Sequence, residues 1–541
     1  MAEELAKSER SPVMGDIEVQ NLPQYESMQT CHRSRKQRRL IIMNVREPEI
    51  TTVTDLTDKE LTRHWKSIDW KKAEEIVNNL QSRIASAVKD KDWKRVNKLS
   101  RLLTRSLYAR VLAIRKVTGN KGGKTPGVDG ILWLTAAEKM RAALTLSNKG
   151  YRAKPLIRKY IPKKNGKLRA LSIPTLYDRA MQTLHAMALS PIESVMGDKT
   201  SFGFKPYRST KDACAYLHTC LSKKNSPVWV VEGDIKACFD EINHDWILKN
   251  TPMNKQILKE FLKAGFIENY HIFPTDKGTP QGGTISPIIA NIALNGLEIA
   301  LARKFYARKN GIIDKHHRNK HRINYVRFAD DFVITADSRQ TADEIIKEVK
   351  TFLEHRGLRL SEEKTLITNI TDGFTFLGWN FRKYSGKLLI KPSKDSRREI
   401  MSKISEIIDK AKAWEQDRLI QALNPVIRGW AQYHNHVVSS RVFNKMDHDV
   451  HILLYLWAKR RHQNKGNKWV MTRYWHTEGN RNYVFGTENQ TLSRFSDTRI
   501  VRHRLAKLDK DPYIDKDYFE HWKVMEYHRK KSLSNPNLNL N

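Results

Sequence analysis

The spacing of apolar residues predicts helices in the first third of the chain. Between about residues 62 and 118, apolar side chains recur every three or four positions, and lysines and arginines occupy the opposite faces. This spacing is that of one face of an α-helix, so we predict amphipathic helices whose apolar stripes face a core. The two stripes are Ile76, Leu80, Ile84, Val88 and Leu99, Leu102, Leu103, Leu107.

Further along the chain the pattern predicts β-strands. The stretch YIPKKNGKLRALSIPT at 160–175 places Asn165-Gly166, a favoured hairpin turn, between two strands. Residues 228–231 are apolar and predict a strand that continues to Asp234. The alternation in FTFLGWNFRK at 374–383 indicates another pair of strands.

The hairpin NYVRFADDFVIT at 324–335 contains two adjacent acids, Asp330 and Asp331, between apolar runs. A strand, a tight turn and a second strand are what this pattern predicts. Two-residue turns favour Asn-Gly or Asp-Gly because their central residues need positive φ, and adjacent carboxylates raise each other's pKa. Either these acids cap a solvated turn or a divalent cation neutralises them, and this stretch alone leaves both interpretations open.

The net charge of the chain limits the classes of partner that it can bind. Among 541 residues, 97 lysines and arginines stand against 59 acids, which gives a formal net charge of +38 and a pI of about 9.9. Such an excess suits a polyanion such as nucleic acid, with a membrane surface as the rival. No long apolar run and no secretory signal are visible, so we expect no transmembrane helix and a cytoplasmic protein.

Two other classes of protein lack support in the sequence. The four cysteines, Cys31, Cys214, Cys220 and Cys238, include no Cys-x-x-Cys pair, so neither a zinc ribbon nor a disulfide scaffold is predicted. The loop GNKGGKTPGVDG at 119–130 lacks the Gly-Lys-Ser/Thr ending of a P-loop, which makes an ATPase a weak interpretation.

Three aspartates at predicted strand ends suggest a metal-binding catalytic site. Asp234 ends one predicted strand, and Asp330 and Asp331 lie on the turn of another. Three carboxylates at strand ends of one sheet can hold two Mg²⁺ ions, an arrangement that suits phosphoryl or nucleotidyl transfer. The repulsion that disfavours a plain turn then becomes a source of metal affinity.

Several stretches resemble the motifs of reverse transcriptases, in order, across roughly residues 65–385. VRFADD resembles the Phe/Tyr-x-Asp-Asp box, GDIKACF the first aspartate box, GTPQGGTISPIIANIAL the Gln-Gly loop and FLGW the strand that supports the primer end. YIPKKNGKLRALSIPT and SFGFKPYRST resemble the fingers motifs. The helical N-terminal part, TPGVDG, QGGTISP and LNPVIRGWAQYH resemble group II intron-encoded reverse transcriptases and maturases.

The resemblance implies an α+β fold. It would be a right-hand polymerase with fingers and palm, the palm carrying an antiparallel sheet, followed by an α-helical thumb or maturase (X) domain. The implied parts are a disordered or variable extension at 1–60, fingers and palm at 61–385 with a helical extension at 61–120, a thumb or maturase domain at 386–475, and a basic DNA-binding-like tail at 476–541. No cysteine follows Cys238, so we expect the zinc-bound HNH endonuclease of many relatives to be absent.

By position, the resemblance also implies the residues of a nucleotidyl-transfer site. The catalytic ligands of two Mg²⁺ ions would be Asp234, Asp330 and Asp331, with the backbone carbonyl of Ile235 as a further ligand. The nucleotide would be bound by Lys163 and Arg169 at its triphosphate, Phe239 under its sugar, Gln281 in the pocket and Lys364 at the pyrophosphate, the last as a cation or an acid.

Some of these residues also have plain interpretations, which stay open at this point. Phe239 suits a core, Gln281 a hydrogen bond within a loop, and Lys364 a solvated helix end. In the thumb the candidate RNA contacts are Arg428, Tyr433, Lys459 and Arg460, whereas Trp430 is predicted to pack in the core.

The predicted function is that of an RNA-directed DNA polymerase encoded by a group II intron. It would bind the intron RNA to assist splicing and support retrohoming by target-primed reverse transcription. Its partners would be the intron RNA, target-site DNA, an RNA template with a DNA primer, and dNTPs, without a membrane. Whether it is a monomer or dimer, and of bacterial or organellar origin, stays open.

Two other functions fit parts of the sequence. One is a splicing maturase without polymerase activity, which the intact aspartates argue against. The other is a domesticated reverse transcriptase of the retron, diversity-generating or CRISPR type, which QGGTISP and the thumb segment argue against.

Overall fold

A computed structural model describes residues 56–162, 166 and 168–534. The extension predicted at 1–60 therefore lies almost wholly outside the described residues. The helices, in chain order, are α1 (Asp58–Lys66), α2 (Trp70–Lys89), α3 (Trp93–Arg105), α4 (Leu107–Thr118), α5 (Ala136–Thr145), α6 (Leu176–Met196), α7 (Thr210–Leu221), α8 (Cys238–Glu241), α9 (His244–Asn250), α10 (Lys255–Leu262), α11 (Ser286–Leu294), α12 (Leu297–Tyr306), α13 (Lys315–Arg318), α14 (Arg339–Glu354), α15 (Lys394–Lys410), α16 (Gln416–His434), α17 (Ser440–Arg461), α18 (Asn467–Tyr474) and α19 (Lys516–Ser534).

The strands are short and paired mostly with sequence neighbours. In chain order they are β1 (Leu156–Pro162), β2 (Leu168–Ile173), β3 (Trp229–Asp234), β4 (Phe266–Glu268), β5 (His271–Phe273), β6 (Tyr325–Phe328), β7 (Asp331–Ala336), β8 (Leu366–Asn369), β9 (Phe374–Phe376), β10 (Trp379–Tyr384), β11 (Lys387–Pro392), β12 (Trp475–Glu478) and β13 (Arg481–Phe485). Together with the helices they confirm the predicted α+β class.

The chain divides into two compact units. The first comprises residues 1–192 and 251–288, and the second comprises residues 193–250 and 289–541. Each unit is described in turn.

The first unit begins with the helices α1 to α5, of which α1 to α4 confirm the helical prediction for about residues 62–118. Thr57 and Glu60 form a capping box that starts α1, and the carboxylates of Asp69 and Asp92 cap α2 and α3. In the first predicted stripe Leu80, Ile84 and Val88 are buried and Ile76 is half-buried. In the second stripe Leu102 is half exposed, so its prediction as a core residue is wrong.

A four-stranded sheet in the order β2-β1-β4-β5 completes the first unit. The antiparallel pairing of β1 with β2, with Pro162 opposite Leu168, confirms the predicted hairpin. Gly166 lies in the connection with a φ of 76°, a conformation that favours glycine.

The second unit contains the antiparallel sheet predicted for the palm, in the order β6-β7-β3-β8. β3 pairs with β7 on one side and β8 on the other. A second sheet, β11-β10-β9, contains the strand pair predicted at 374–383. The two sheets share one apolar cluster, in which Val230, Val326 and Val333 pack with Trp379 and Phe381.

The helices α15 to α18 follow these sheets and lie within the segment 386–475, for which helices are predicted. Their apolar core includes Leu419, Leu423, Trp430, Phe443 and Trp457, all less than a tenth exposed, which confirms Trp430 as a core residue.

The segment predicted as a basic tail at 476–541 contains regular structure in its described part. The strand β13 and the helix α19 fall within it, and β12 begins one residue earlier, at Trp475. Phe519 of α19 is buried and its ring lies 4.9 Å from that of Tyr207. A few isolated aromatic anchors, without a regular stripe, are too weak a signal for a pattern-based prediction.

Among the helices of the described ranges, none combines the length and apolar character needed to cross a membrane. Cys214, Cys220 and Cys238 are free thiols. Cys31 lies outside the described residues.

Candidate active site

The three predicted aspartates lie at one end of the sheet in the second unit. Asp234, the last residue of β3, is paired directly with Asp331, the first residue of β7. Asp330 precedes Asp331 in the turn between β6 and β7. The structure therefore brings together carboxylates from two neighbouring strands, which a sequence can predict only through the pairing of the strands.

The turn differs from the one predicted, because its central residues are Ala329 and Asp330. Phe328 pairs with Asp331, so the second aspartate already belongs to the strand β7. Ala329, with a φ of 58°, takes the left-handed conformation. The unfavourable Asp-Asp turn that the sequence suggested is thereby avoided.

Two glycines make room for this strand end. A Cβ atom on Gly203 would lie 2.3 Å from the backbone nitrogen of Ala329, so the backbone of the 201–210 segment can approach the turn only at glycine. A Cβ atom on Gly233 would lie 2.0 Å from the ring of Phe332. The glycine before Asp234 thus leaves space for Phe332 on the paired strand.

A buried arginine that is absent from the predicted site residues supports the turn. Arg327 is 1% exposed, and its guanidinium donates to the carbonyl of Ala329 at 3.1 Å. It also donates to the side-chain oxygens of Asn291 and Asn295, at 3.1 and 2.9 Å. An arginine inside an otherwise apolar strand was the available signal, since a buried charge needs several hydrogen-bond partners.

Burial and neighbouring carboxylates shape the electrostatics of the strand end. Loss of hydration, and then the charges of Asp330 and Asp234, raise the pKa of Asp331 to about 7. Lys364 donates to a carboxylate oxygen of Asp234 at 2.8 Å, and this hydrogen bond raises the pKa of Lys364. The lysine therefore supplies positive charge beside the three carboxylates.

The fit of these residues to a metal ion rests on their chemistry. In the described part of the chain, no three histidine, cysteine or acidic side chains are arranged to hold an ion. Ile235 follows Asp234, is buried and forms an isolated bridge with Leu360. Carboxylates and a neighbouring backbone carbonyl are nevertheless the donors that Mg²⁺ prefers.

Phe239 lies in the second unit with the aspartates. It is the second residue of the short helix α8, after Ala237 in left-handed conformation, and it is 7% exposed. Its ring lies 6.4 Å from that of Phe204 in an edge-to-face arrangement. This burial agrees with a core residue and equally with the rigid floor of a pocket.

Of the other nucleotide-binding candidates, Arg169 and Gln281 belong to the first unit. Arg169 lies on β2 opposite Ile161. The carbonyl of Gln281 accepts a hydrogen bond of 2.7 Å from the backbone of Ser172, which ties the Gln-Gly loop to the same strand. Lys163 lies outside the described residues, and all three roles stay predictions.

The thumb candidates for RNA contact are partly engaged within the protein. The hydroxyl of Tyr433 donates to the carbonyl of Leu377 at 2.9 Å, and its ring stacks on Trp379 at 4.8 Å. Arg428 donates to the hydroxyl of Ser493 at 2.7 Å, and Lys459 donates to the carbonyl of Lys465 at 2.7 Å, while Arg460 lies 3.9 Å from Asp409. Tyr433 thus contacts the FLGW turn through this hydrogen bond and this ring stacking.

Three family models match the chain. The model described as reverse transcriptase (RNA-dependent DNA polymerase) matches residues 161–381, and that of the N-terminal domain of reverse transcriptase matches 65–146. The model described as group II intron, maturase-specific domain matches residues 397–475.

Curated relatives are similar over the same region. Protein YkfC of Escherichia coli is 32% identical over 339 residues, which is 56% of this chain and 87% of that protein. The group II intron-encoded protein LtrA of Lactococcus lactis subsp. cremoris is 30% identical over 388 residues, which is 60% of this chain. This alignment spans 63% of LtrA, less than two thirds of its length.

Among solved structures, telomerase from Candida albicans, in complex with a fragment of telomeric RNA, matches with 12% identity and a TM-score of 0.33, over 60% of this chain and 62% of that one. The family matches, together with the antiparallel sheet, confirm the predicted fold class and enzyme class. The chain belongs to the family of group II intron-encoded reverse transcriptases, RNA-directed DNA polymerases that carry a maturase-specific domain.

Proposed function

We propose that the chain synthesises DNA on an RNA template at the strand end formed by Asp234, Asp330 and Asp331. The observation that carries this proposal is the direct pairing of Asp234 with Asp331, with Asp330 adjacent in a turn that Arg327 supports. Such a rigid set of carboxylates suits nucleotidyl transfer better than a structural role, because unneutralised acids at one point destabilise a fold.

Members of the reverse transcriptase family generally need a divalent metal. Here Asp234, Asp330, Asp331 and the carbonyl of Ile235 would hold two Mg²⁺ ions, whose charge would offset the loss of hydration and the neighbouring carboxylates that raise the pKa of Asp331. When bound, the ions lower the pKa of the primer hydroxyl and neutralise charge on the pyrophosphate.

The remaining roles belong to side chains that bind and orient the nucleotide. Phe239, held rigid by burial, would lie under the sugar and exclude a 2′-hydroxyl. Lys364 would move from Asp234 to the pyrophosphate, since both are anions within reach of a flexible ammonium group. Arg169, Gln281 and Lys163 are proposed as nucleotide contacts on the family resemblance alone.

The same chain would bind its intron RNA to assist splicing and would support retrohoming by target-primed reverse transcription. The match to a maturase-specific domain implies an RNA partner, and the net charge of +38 supports binding to a polyanion. We assign fingers and palm to 61–385, the thumb to 386–475 and target-DNA contact to the tail, in a cytoplasmic protein bound to nucleic acid. Intron binding should weaken steeply with salt, because neutralised phosphates release counterions.

The test is primer extension by the full chain on an RNA template, with Mg²⁺ and with EDTA. We expect extension only with Mg²⁺, and a loss of at least about 1000-fold in the Asp330→Ala variant, equivalent to about 4 kcal/mol. Binding of the intron RNA should stay within about twofold, because a single charge in a large basic surface contributes little to it. The control is Asp343→Asn, which removes an exposed acid of α14.

Two outcomes would contradict the proposal. If the wild-type chain binds the intron but never extends a primer, it is a maturase without polymerase activity. If Asp330→Ala abolishes extension and intron binding together while the chain stays folded, the two functions are not separable.

A further inference from the structure

The segment SFGFKPYRST at 201–210 contains two strained residues to which the proposed function assigns no role. Phe204 and Tyr207 have φ values of 60° and 58°, in the left-handed region that L-residues disfavour. Such residues persist only where the surrounding structure holds them, and they are concentrated at functional sites. The contacts of the segment show what holds these two residues and what they hold in turn.

The first half of the segment lies against the aspartate turn. Gly203 packs on the backbone of that turn, and its carbonyl accepts from the side-chain amide of Asn291 at 3.0 Å. On the other side of Phe204, the ammonium group of Lys205 donates to the carbonyl of Asp198 at 2.7 Å. Phe204 therefore lies between two neighbours that are hydrogen-bonded to other parts of the second unit.

The side chain of Phe204 supports Phe239. The two rings lie 6.4 Å apart, edge to face, an arrangement that aromatic pairs favour. Phe239 belongs to α8, which has only four residues and follows Ala237 in the left-handed conformation. Because a helix of one turn has little stability of its own, packing contacts must fix the position of the Phe239 ring. Phe204 supplies one of these contacts.

The second half of the segment is held by residues close to the helix α19. The guanidinium of Arg208 donates to the carbonyls of Ala506 and Lys507, at 2.8 and 2.9 Å. The ring of Tyr207 lies 4.9 Å from that of Phe519, which is 1% exposed. The second strained residue of the segment is thus held by a part of the chain that is distant in sequence.

A buried polar pair adds to this contact. Asp212, in the first turn of α7, lies 3.1 Å from a ring nitrogen of His503, and the two side chains are 3% and 8% exposed. The other carboxylate oxygen of Asp212 accepts from the backbone N–H of Ser209 at 2.8 Å. Residues 503–519, which follow the region matched by the maturase-specific domain, therefore hold the far end of a segment whose near end lies at the aspartate turn.

We propose that Phe204 is a positioning residue for Phe239 and that residues 503–519 hold the segment that carries it, so that the C-terminal part of the chain contributes to the choice of dNTP over NTP. It rests on the proposed place of Phe239 under the sugar. A ring that is supported from behind cannot move away from a 2′-hydroxyl, and an added group in a filled, rigid space is unfavourable. When the support is lost, the ring moves and an NTP is accepted more readily.

The test is single-nucleotide primer extension by the full chain with Mg²⁺, using a dNTP and the matching NTP. Phe204→Leu removes the ring edge, so the ratio of kcat/KM for dNTP over NTP should fall at least about fivefold, while kcat/KM for the dNTP stays within about threefold. Phe519→Leu should lower the same ratio about threefold, because it acts through the segment. Phe239→Val removes the supported ring itself and gives the full size of the loss.

The matched control is Phe495→Leu. Phe495 is as deeply buried as Phe519, and its ring packs against Trp430 and Phe443 in the core of the helices α15 to α18. This variant should lose stability in urea denaturation but keep the dNTP/NTP ratio within about twofold. The double variant of Phe204→Leu and Phe519→Leu should lose little more than Phe204→Leu alone, because residues that act through one contact are not additive.

Three outcomes would overturn the proposal: an unchanged ratio in Phe204→Leu although Phe239→Val lowers it, an equal loss in Phe495→Leu, or strictly additive losses in the double variant. An unchanged ratio in Phe239→Val would overturn the specificity role together with the proposed place of Phe239 under the sugar.

A second measurement needs no polymerisation. In EDTA, amide hydrogen exchange of residues 237–241 should be at least about threefold faster in Phe204→Leu and Phe519→Leu than in the wild type and in Phe495→Leu. If the wild-type chain extends no primer, the proposed polymerase function fails, and the exchange rates still decide whether residues 503–519 support Phe239. Equal exchange in all four proteins would overturn that support.

Discussion

Two tight turns of the second unit each begin with a strained residue and differ in what holds them. The turn at Ala329–Asp330 joins β6 to β7, and the turn at Leu377–Gly378 joins β9 to β10. Each has a non-glycine residue at positive φ, 58° at Ala329 and 50° at Leu377, where L-residues are disfavoured by about 1–2 kcal/mol. In each turn a side chain donates to the carbonyl of that strained residue.

The donor of the first turn is Arg327, on the strand that enters the turn, whereas the donor of the second is Tyr433, on the helix α16. The aspartate turn is therefore fixed from within the sheet. The FLGW turn depends on a helix within the region that matches the maturase-specific domain.

The largest effect is expected when the first turn loses its support. Arg327→Met removes three hydrogen bonds from buried acceptors, so the free energy of unfolding should fall by about 3 kcal/mol. A displacement of Asp330 by about 1 Å should also lower kcat on the order of 100-fold. Urea denaturation and single-nucleotide primer extension measure the two effects.

Arg356→Met is the control for this variant. Arg356 donates to the carbonyls of Ala293 and Phe352, both at 2.7 Å, and to no residue of the aspartate turn. Its loss should lower stability but leave kcat within about twofold. Equal losses of kcat in both variants would mean that Arg327 acts through stability alone.

A smaller effect is expected at the second turn. Tyr433→Phe keeps the stacking on Trp379 and removes one hydrogen bond to Leu377, so stability should fall by about 1 kcal/mol. If the FLGW turn supports the primer, KM for the primer should rise about fivefold with kcat nearly constant. Titration of the primer in extension assays separates the two constants.

Tyr474→Phe provides the matched comparison, because its hydroxyl lies 2.8 Å from a ring nitrogen of His462 and is remote in sequence from the FLGW turn. It should cost similar stability without changing KM. If Tyr433→Phe raises kcat or leaves KM for the primer unchanged, the two turns do not differ in function in the way inferred from their donors.

The sequence predicted the strands of this region better than their turns. Alternation located the hairpins because one face of each strand is buried, as at Val230 and Val333. It placed both aspartates on the turn, although Asp331 begins β7. The exact turn depends on φ at Ala329 and on the approach of Gly203, and neither leaves a local pattern in the sequence.

The sequence predicts those residues of the site whose role follows from residue type and from order along the chain. Asp234 and the Asp330-Asp331 pair could be identified because acids interrupt apolar strands. Arg327 also interrupts an apolar strand, but its role could not be assigned, since its partners Asn291 and Asn295 are distant in sequence and come together only in the fold. The hydrogen bond from Tyr433 to Leu377 could not be predicted for the same reason, and the sequence instead predicts Tyr433 as an RNA contact.

The smallest effect is expected from relieving the strain at Ala329. Ala329→Gly removes about 1 kcal/mol of left-handed strain, but it also increases the entropy of the unfolded chain by a similar amount. The free energy of unfolding should therefore stay within about 0.5 kcal/mol of the wild type, and kcat within about twofold, because Arg327 still fixes the carbonyl. Combining the substitution with Arg327→Met tests this reason: the freed glycine should then lower kcat further than either change alone, since nothing in the sheet would hold Asp330. Strict additivity of the two changes in kcat would mean that the arginine and the backbone conformation position the aspartate independently.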